Sequence, residues 1–190
     1  MTLLSTVHAF LPSFSLVALG EIGDKTQLLT LALASRFRKP WVILSAIVCS
    51  TLLNPGLSVW LGEWLAGLVS LSLLHWLVAA SFILLGLWML IPDKDEKVDV
   101  NARYGTFVTV FVLFFLAEIG DKTQLATVAL AAHYHDFVGV LAGTACGIIV
   151  ADAPMLWLGQ RIRNTRWETW AHRASAVLFI VMGIAALIWR

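Results

Sequence analysis

Residues 21–27 read Glu21-Ile22-Gly23-Asp24-Lys25-Thr26-Gln27, and the same seven return as Glu118-Ile119-Gly120-Asp121-Lys122-Thr123-Gln124. Each copy sits inside a long apolar stretch. Charged groups at bilayer depth are costly unless they pair, face a cavity or carry something across, so they read first as a functional site.

The surrounding composition is that of an integral membrane protein without a soluble domain. Of 190 residues, 59% are hydrophobic and 13% charged, against about 25% charged in a soluble domain. Mean hydropathy is +0.85, and nine tryptophans suit two membrane–water interfaces. A net charge of +1 indicates no partner, and no basic tract or stacking motif points to nucleic acid. Cys49 and Cys146 lie in apolar segments without zinc spacing, and read as small buried residues. No Lys or Arg precedes the first apolar run, so it lacks a signal peptide's basic start and is expected to remain as a membrane helix.

A helix needs about 20 apolar residues to cross a bilayer, and the chain offers six such segments, giving an all-α membrane fold. They cover about 8–34, 41–61, 71–91, 105–132, 137–159 and 174–189. The mixed charges of 92–104 predict a solvated linker between residues 1–91 and 105–190. The basic, Trp-bearing stretch 161–173 suits a segment lying on the bilayer surface.

The second half matches the first at a constant offset of 97 residues. Cys49 falls on Cys146, Trp60 on Trp157, Gly62 on Gly159, and Phe82 on Phe179. Three crossings per half force the second to enter from the opposite side, which makes the halves inverted repeats, a plan used by many secondary transporters. The motif helices then run antiparallel and their acids can meet near the midplane. Ten of the 13 Lys and Arg fall in the loops at 36–39, 94–103 and 161–173, which share one side. The positive-inside rule puts that side in the cytoplasm and both termini outside.

Carried on a helix, Glu21 and Asp24 point the same way, with Lys25 beside them and Gln27 one turn on. Joined by the second copy, the site gathers Glu21, Asp24, Glu118 and Asp121. Lys25 and Lys122, the amides of Gln27 and Gln124, and the hydroxyls of Thr26 and Thr123 surround them. Four acids and two lysines sum to −2. One divalent cation neutralises that charge, and so do two protons. Because buried net charge is costly, such a cluster should hold a metal or protons but rarely neither, which is a physical basis for metal–proton exchange. The ligands are hard oxygens suited to Mn²⁺, Ca²⁺ or Mg²⁺. Gly23 and Gly120 either free a carbonyl for an ion or let helices pack closely.

Polar positions beside prolines add two candidates: Asn54 as a neutral ligand and Asp152 as a proton carrier or further acid. Gly139, Gly143, Gly147 and Ala151, and in the first half Ala46, Ser50 and Asn54, form small-residue stripes expected to pack on the motif helices. His133, His135 and Asp136 read as a solvated turn.

The motif resembles E-x-G-D-[KR]-[ST], found twice per chain in a family of small cation/proton exchangers that includes Golgi manganese/calcium transporters and bacterial manganese exporters. Both copies are complete, at 21–26 and 118–123. The resemblance implies transport of Mn²⁺ or Ca²⁺ against protons, with no cofactor besides the cargo and no enzymatic activity. It implies a metal site of Glu21, Asp24, Glu118 and Asp121, supported by Thr26, Gln27, Thr123 and Gln124, with Lys25 and Lys122 tuning charge. The short chain and lack of a targeting extension point to a bacterial inner membrane and to manganese export. A homodimer in the lipid is left open.

Other readings fare less well. An intramembrane aspartyl protease carries Gly-x-Gly-Asp, whereas here the first glycine, Gly20, is one place early and the second copy has Ala117. A passive cation channel gains little from lysines in its site. Exchange of another ion, such as Ca²⁺ or Mg²⁺, stays open.

Overall fold

The structure, a computed structural model, describes residues 3–89 and 104–158, with seven scattered helical positions between 173 and 187. Its elements are α1 (Leu3–Glu21), α2 (Lys25–Phe37), α3 (Pro40–Leu68), α4 (Leu71–Met89), α5 (Thr106–Glu118), α6 (Lys122–Tyr134), α7 (Phe137–Asp152) and α8 (Met155–Leu158). Among the described residues there is no strand.

Among the described residues two helices are long and apolar enough to span a bilayer, residues 40–68 and 137–157, and the bent pair α1–α2 makes a third if it is one span. The first and fourth expected segments are not continuous helices. Each is cut at the motif, into α1–α2 and α5–α6, and α1 and α2 meet at a bend of 67°. The second expected segment runs on to Leu68, with Pro55 inside α3. The linker at 92–103, most of the surface segment at 161–173 and most of the last segment lie outside the described residues.

The sequence dictates the cuts. Gly23 and Gly120 have φ of +83° and +74°, a conformation that costs any residue with a Cβ about 1–2 kcal/mol. Asp24 and Asp121 follow in extended conformation as N-caps of α2 and α6. Three residues on, Gln27 Oε1 accepts the Gly23 N–H at 2.8 Å, and Gln124 Oε1 accepts the Gly120 N–H at 2.6 Å. This resembles the backward reach of Gln in a capping box. The repeat extends to the far ends of α2 and α6, where Arg38 and His135, 97 residues apart, both cap left-handed at φ 51° and 50°.

The interior mixes two apolar clusters with many polar side chains, and large apolar side chains cover the outside. Glu21, Thr26, Thr30, Ser50, Thr51, Asn54, Ser58 and Asp152 are buried, while Leu53, Leu57, Trp60 and Trp64 of α3 face outward. Lipid rewards that arrangement; water does not. Helices in lipid associate by close fit, not by hydrophobic burial. The α7 stripe meets α1 in this way: a Cβ on Gly143 would lie 2.5 Å from the Phe10 carbonyl, and one on Gly147 2.9 Å from the Ala18 nitrogen. Across the chain, α3 packs against α5, α6 and α7, and Gly62 leaves room for the α6 backbone at Val128. At the chain's end, Gly183 meets Ile83 and the Ala79 carbonyl of α4.

The cysteines correct one expectation. Cys49 and Cys146 are free but exposed on the outward faces of α3 and α7. Their size suits a lipid-facing position as well as a buried one.

Candidate metal site at the helix breaks

The breaks place the acids. Glu21 ends α1 and Asp24 begins α2, so the two sit on either side of a turn held by the Asp24 N–H bond to the Glu21 carbonyl, 3.1 Å. Glu118 and Asp121 repeat this with a 3.2 Å bond. The continuous-helix geometry is therefore corrected: convergence comes from the turn and not from helical periodicity. Neither aspartate side chain caps its own helix.

Oxygens of Glu21, Asp24 and Asp121, all buried, lie within 4.8 Å of one another. Two oxygens bound to one Ca²⁺ are at most about 5 Å apart, so these three carboxylates from both motifs are spaced to share one ion. Lys25 Nζ of the first motif stands 3.5 Å from Asp121 Oδ1 of the second. Thr26 donates to Glu21 Oε2 at 2.7 Å, and Thr123 donates to Asp121 Oδ2 at 3.0 Å. Glu21 Oε1 has no hydrogen-bond partner among the described residues, although it is fully buried.

Glu118 stands apart from that trio. It is within electrostatic reach of Glu21 and Asp121, but it lines a small neighbouring cavity with Asn54, Ser58, Thr123, Gln124 and Thr127. The lysines also differ. Lys25 joins the acids, whereas Lys122 Nζ lies over the Trp88 ring, 5.8 Å from its centre.

The glutamine amides tie the halves together. Gln27 Nε2 donates to the Ala151 carbonyl at 2.9 Å, and Gln124 Nε2 to Asn54 Oδ1 at 2.6 Å. Positions 54 and 151 are repeat equivalents, so each glutamine reaches the matching position of the other half, a backbone carbonyl in one case and a side-chain oxygen in the other. Asn54 thus supports the second motif, and its own amide donates to the Phe115 carbonyl. Asp152, next to Ala151, is fully buried in electrostatic reach of Glu21 and Glu118, with the Thr30 side chain beside it.

Sequence reading missed Ser58, Thr127 and Trp88. Ser58 stands one turn after Asn54 and Thr127 one turn after Thr123, a spacing that could have drawn attention to both. In the turn, His133 packs edge-on against Phe82 and Tyr134 and His135 caps α6, while Asp136 is buried, against the solvated turn expected, and caps α7 through the Gly139 N–H.

Apolar helices broken around buried carboxylates define a membrane protein that handles a cation. The chain belongs to the GDT1 family of divalent cation/proton antiporters, whose family model matches residues 9–97 and 106–189. A Vibrio cholerae protein provisionally named a manganese exporter is 43% identical over 174 residues, covering 91% of this chain and 87% of its own. A GDT1-like protein of Synechocystis is 30% identical over 200 residues, covering 94% and 96%. GDT1-like protein 4 of rice is 31% identical over 76% of this chain, which spans 60% of the rice protein. No solved structure matches the chain.

Proposed function

We propose that this protein exports Mn²⁺ from the cytoplasm of a bacterium in exchange for protons, at a site formed by Glu21, Asp24, Glu118 and Asp121. The observation that carries the reading is the buried trio of Glu21, Asp24 and Asp121, drawn from both motifs and spaced for one ion. Within that site the trio and the adjacent Lys25 sum to −2, which one divalent cation neutralises; Glu118, set apart beside its own cavity, lies outside that sum. Protons are the alternative neutralising species, so exchange follows from the cost of leaving buried charge uncompensated. Oxygen-only ligands favour Mn²⁺, Ca²⁺ or Mg²⁺, and the Vibrio relative's name favours the first. Thr26, Gln27, Thr123, Gln124 and Asn54 position the ligands. Lys25 and Lys122 tune the charge, and Asp152 carries protons.

The six crossings form two inverted repeats, residues 1–91 and 105–190, joined by the linker at 92–104. Both termini face outward, and access alternates by rocking of one repeat on the other. Matched breaks at Gly23 and Gly120, matched caps at Arg38 and His135, and matched glutamine bonds support that symmetry. The experiment is transport in proteoliposomes. An imposed proton gradient should drive Mn²⁺ uphill; flux that follows only the metal gradient would make the protein a channel. Competition by Ca²⁺ and Mg²⁺ in the same vesicles ranks the cargo.

A further inference from the structure

We propose that the cavity beside Glu118 is a second cation position, separate from the trio, through which the ion passes on one side of the site. The inference rests on the transport reading above. It adds two residues to the path, Ser58 of α3 and Thr127 of α6.

The cavity has room for a single water-sized species. Its hydroxyls offer acceptors, because their hydrogens are engaged elsewhere, while the Asn54 amide reaches Glu118 in the same wall. Ser58 donates to the Asn54 carbonyl at 3.0 Å and Thr127 to the Thr123 carbonyl at 2.8 Å, each within its own helix. Carbonyls only accept, so both hydroxyl hydrogens are committed and the oxygen lone pairs remain. Thr123 donates to Asp121, and the Gln124 amide to Asn54 Oδ1. Glu118, 3% exposed, adds Oε1, which has no hydrogen-bond partner among the described residues. A small chamber with hydroxyl and carboxylate oxygens in its wall suits a cation or a cation's water, and repels an anion.

The other half does not carry the same lining residues. By the 97-residue offset, Thr127 answers to Thr30, but Ser58 answers to Met155 and Pro55 to Asp152. One side thus presents neutral hydroxyl oxygens with a single carboxylate, and the other places a carboxylate where this side has proline. Neutral oxygens hold a divalent ion more weakly than carboxylates do, as a transit position requires: it must admit the ion and release it.

The test compares Ser58→Ala, Thr127→Val and Thr127→Ser. Mn²⁺ transport in proteoliposomes gives KM, and electron paramagnetic resonance of Mn²⁺ on the purified protein gives equilibrium binding at the trio. The expected result is a KM raised about tenfold in Ser58→Ala and Thr127→Val, with equilibrium binding within about twofold of the parent. Thr127→Ser, which keeps the oxygen, should restore KM. An unchanged KM in Thr127→Val overturns the proposal. So does equal damage in Thr127→Ser, which marks a packing role, or loss of equilibrium binding in Thr127→Val, which merges the two positions. If the parent itself neither binds nor transports Mn²⁺, the transport reading fails first.

Discussion

Gln27 and Gln124 each use both ends of one amide. The oxygen holds the glycine N–H at the helix break and the nitrogen crosses to the opposite half. Replacing Gln124 by Glu keeps the acceptor and loses the donor to Asn54, while adding charge to an acidic site. Mn²⁺ affinity should then fall about tenfold, the lower end of what a misplaced supporting residue costs; calorimetry on the purified protein checks this. The carboxylates are less forgiving. Glu21→Gln or Asp121→Asn removes a proposed ligand from the trio, and transport should fall by about 100-fold or more while folded protein stays in the membrane. Normal manganese resistance in cells carrying either variant would count heavily against the site. At this scale the sequence made legible that the two acidic heptads meet, because charged groups in apolar surroundings need partners, and oxygens of Glu21, Asp24 and Asp121 do lie together. What it hid was the difference between copies: nothing in the heptads tells that Lys25 reaches Asp121 while Lys122 lies over Trp88.

The helix break is a property of the element, and two glycines separate its causes. Gly120 has φ +74° with open space where a Cβ would go, so Gly120→Ala costs only backbone strain, about 1–2 kcal/mol. Gly143 is an ordinary helical residue pressed on α1, where an added Cβ meets the Phe10 carbonyl at 2.5 Å and Ser13 Cβ at 2.8 Å. Gly143→Ala must push α7 off α1, at a cost of about 1–3 kcal/mol. Thermal unfolding in detergent should show the larger loss for Gly143→Ala, and transport the larger loss for Gly120→Ala, whose strain falls within the motif. A larger unfolding shift for Gly120→Ala would mean that the break, not the stripe, holds the bundle. The stripe was readable from its four-residue spacing. The break was readable only in part: Gly-Asp followed by Gln three places after the Asp is a helix-start signal, but strong apolarity on both sides argues for a continuous span. Local turn chemistry won because the glycine's left-handed conformation and the glutamine's backward bond act together.

Across the molecule, the 97-residue register relates Gln27 to Gln124 and Arg38 to His135, yet it pairs Asp152 with Pro55 and Ser58 with Met155. Matched backbone with unmatched side chains suits the proposed exchange, in which a rocking motion would need similar halves while Mn²⁺ and H⁺ would need different partners. The chemistry of exchange then has a measurable sign. Metal ligands bind in their deprotonated form, so Mn²⁺ binding releases protons and affinity rises with pH. If one Mn²⁺ displaces two protons, the logarithm of affinity climbs with a slope of about two per pH unit wherever the empty site is protonated, and flattens above that range. Proton release, followed with a weakly buffered indicator as Mn²⁺ is added to the purified protein, should approach two per ion on the sloping part and vanish on the plateau. Glu21→Gln should lower both the slope and the release, because one exchangeable proton leaves with the carboxylate. Mn²⁺ binding that is tight at every pH and releases no protons would leave the buried charge without a second neutralising species, and the coupling between metal and proton would have no physical basis at this site.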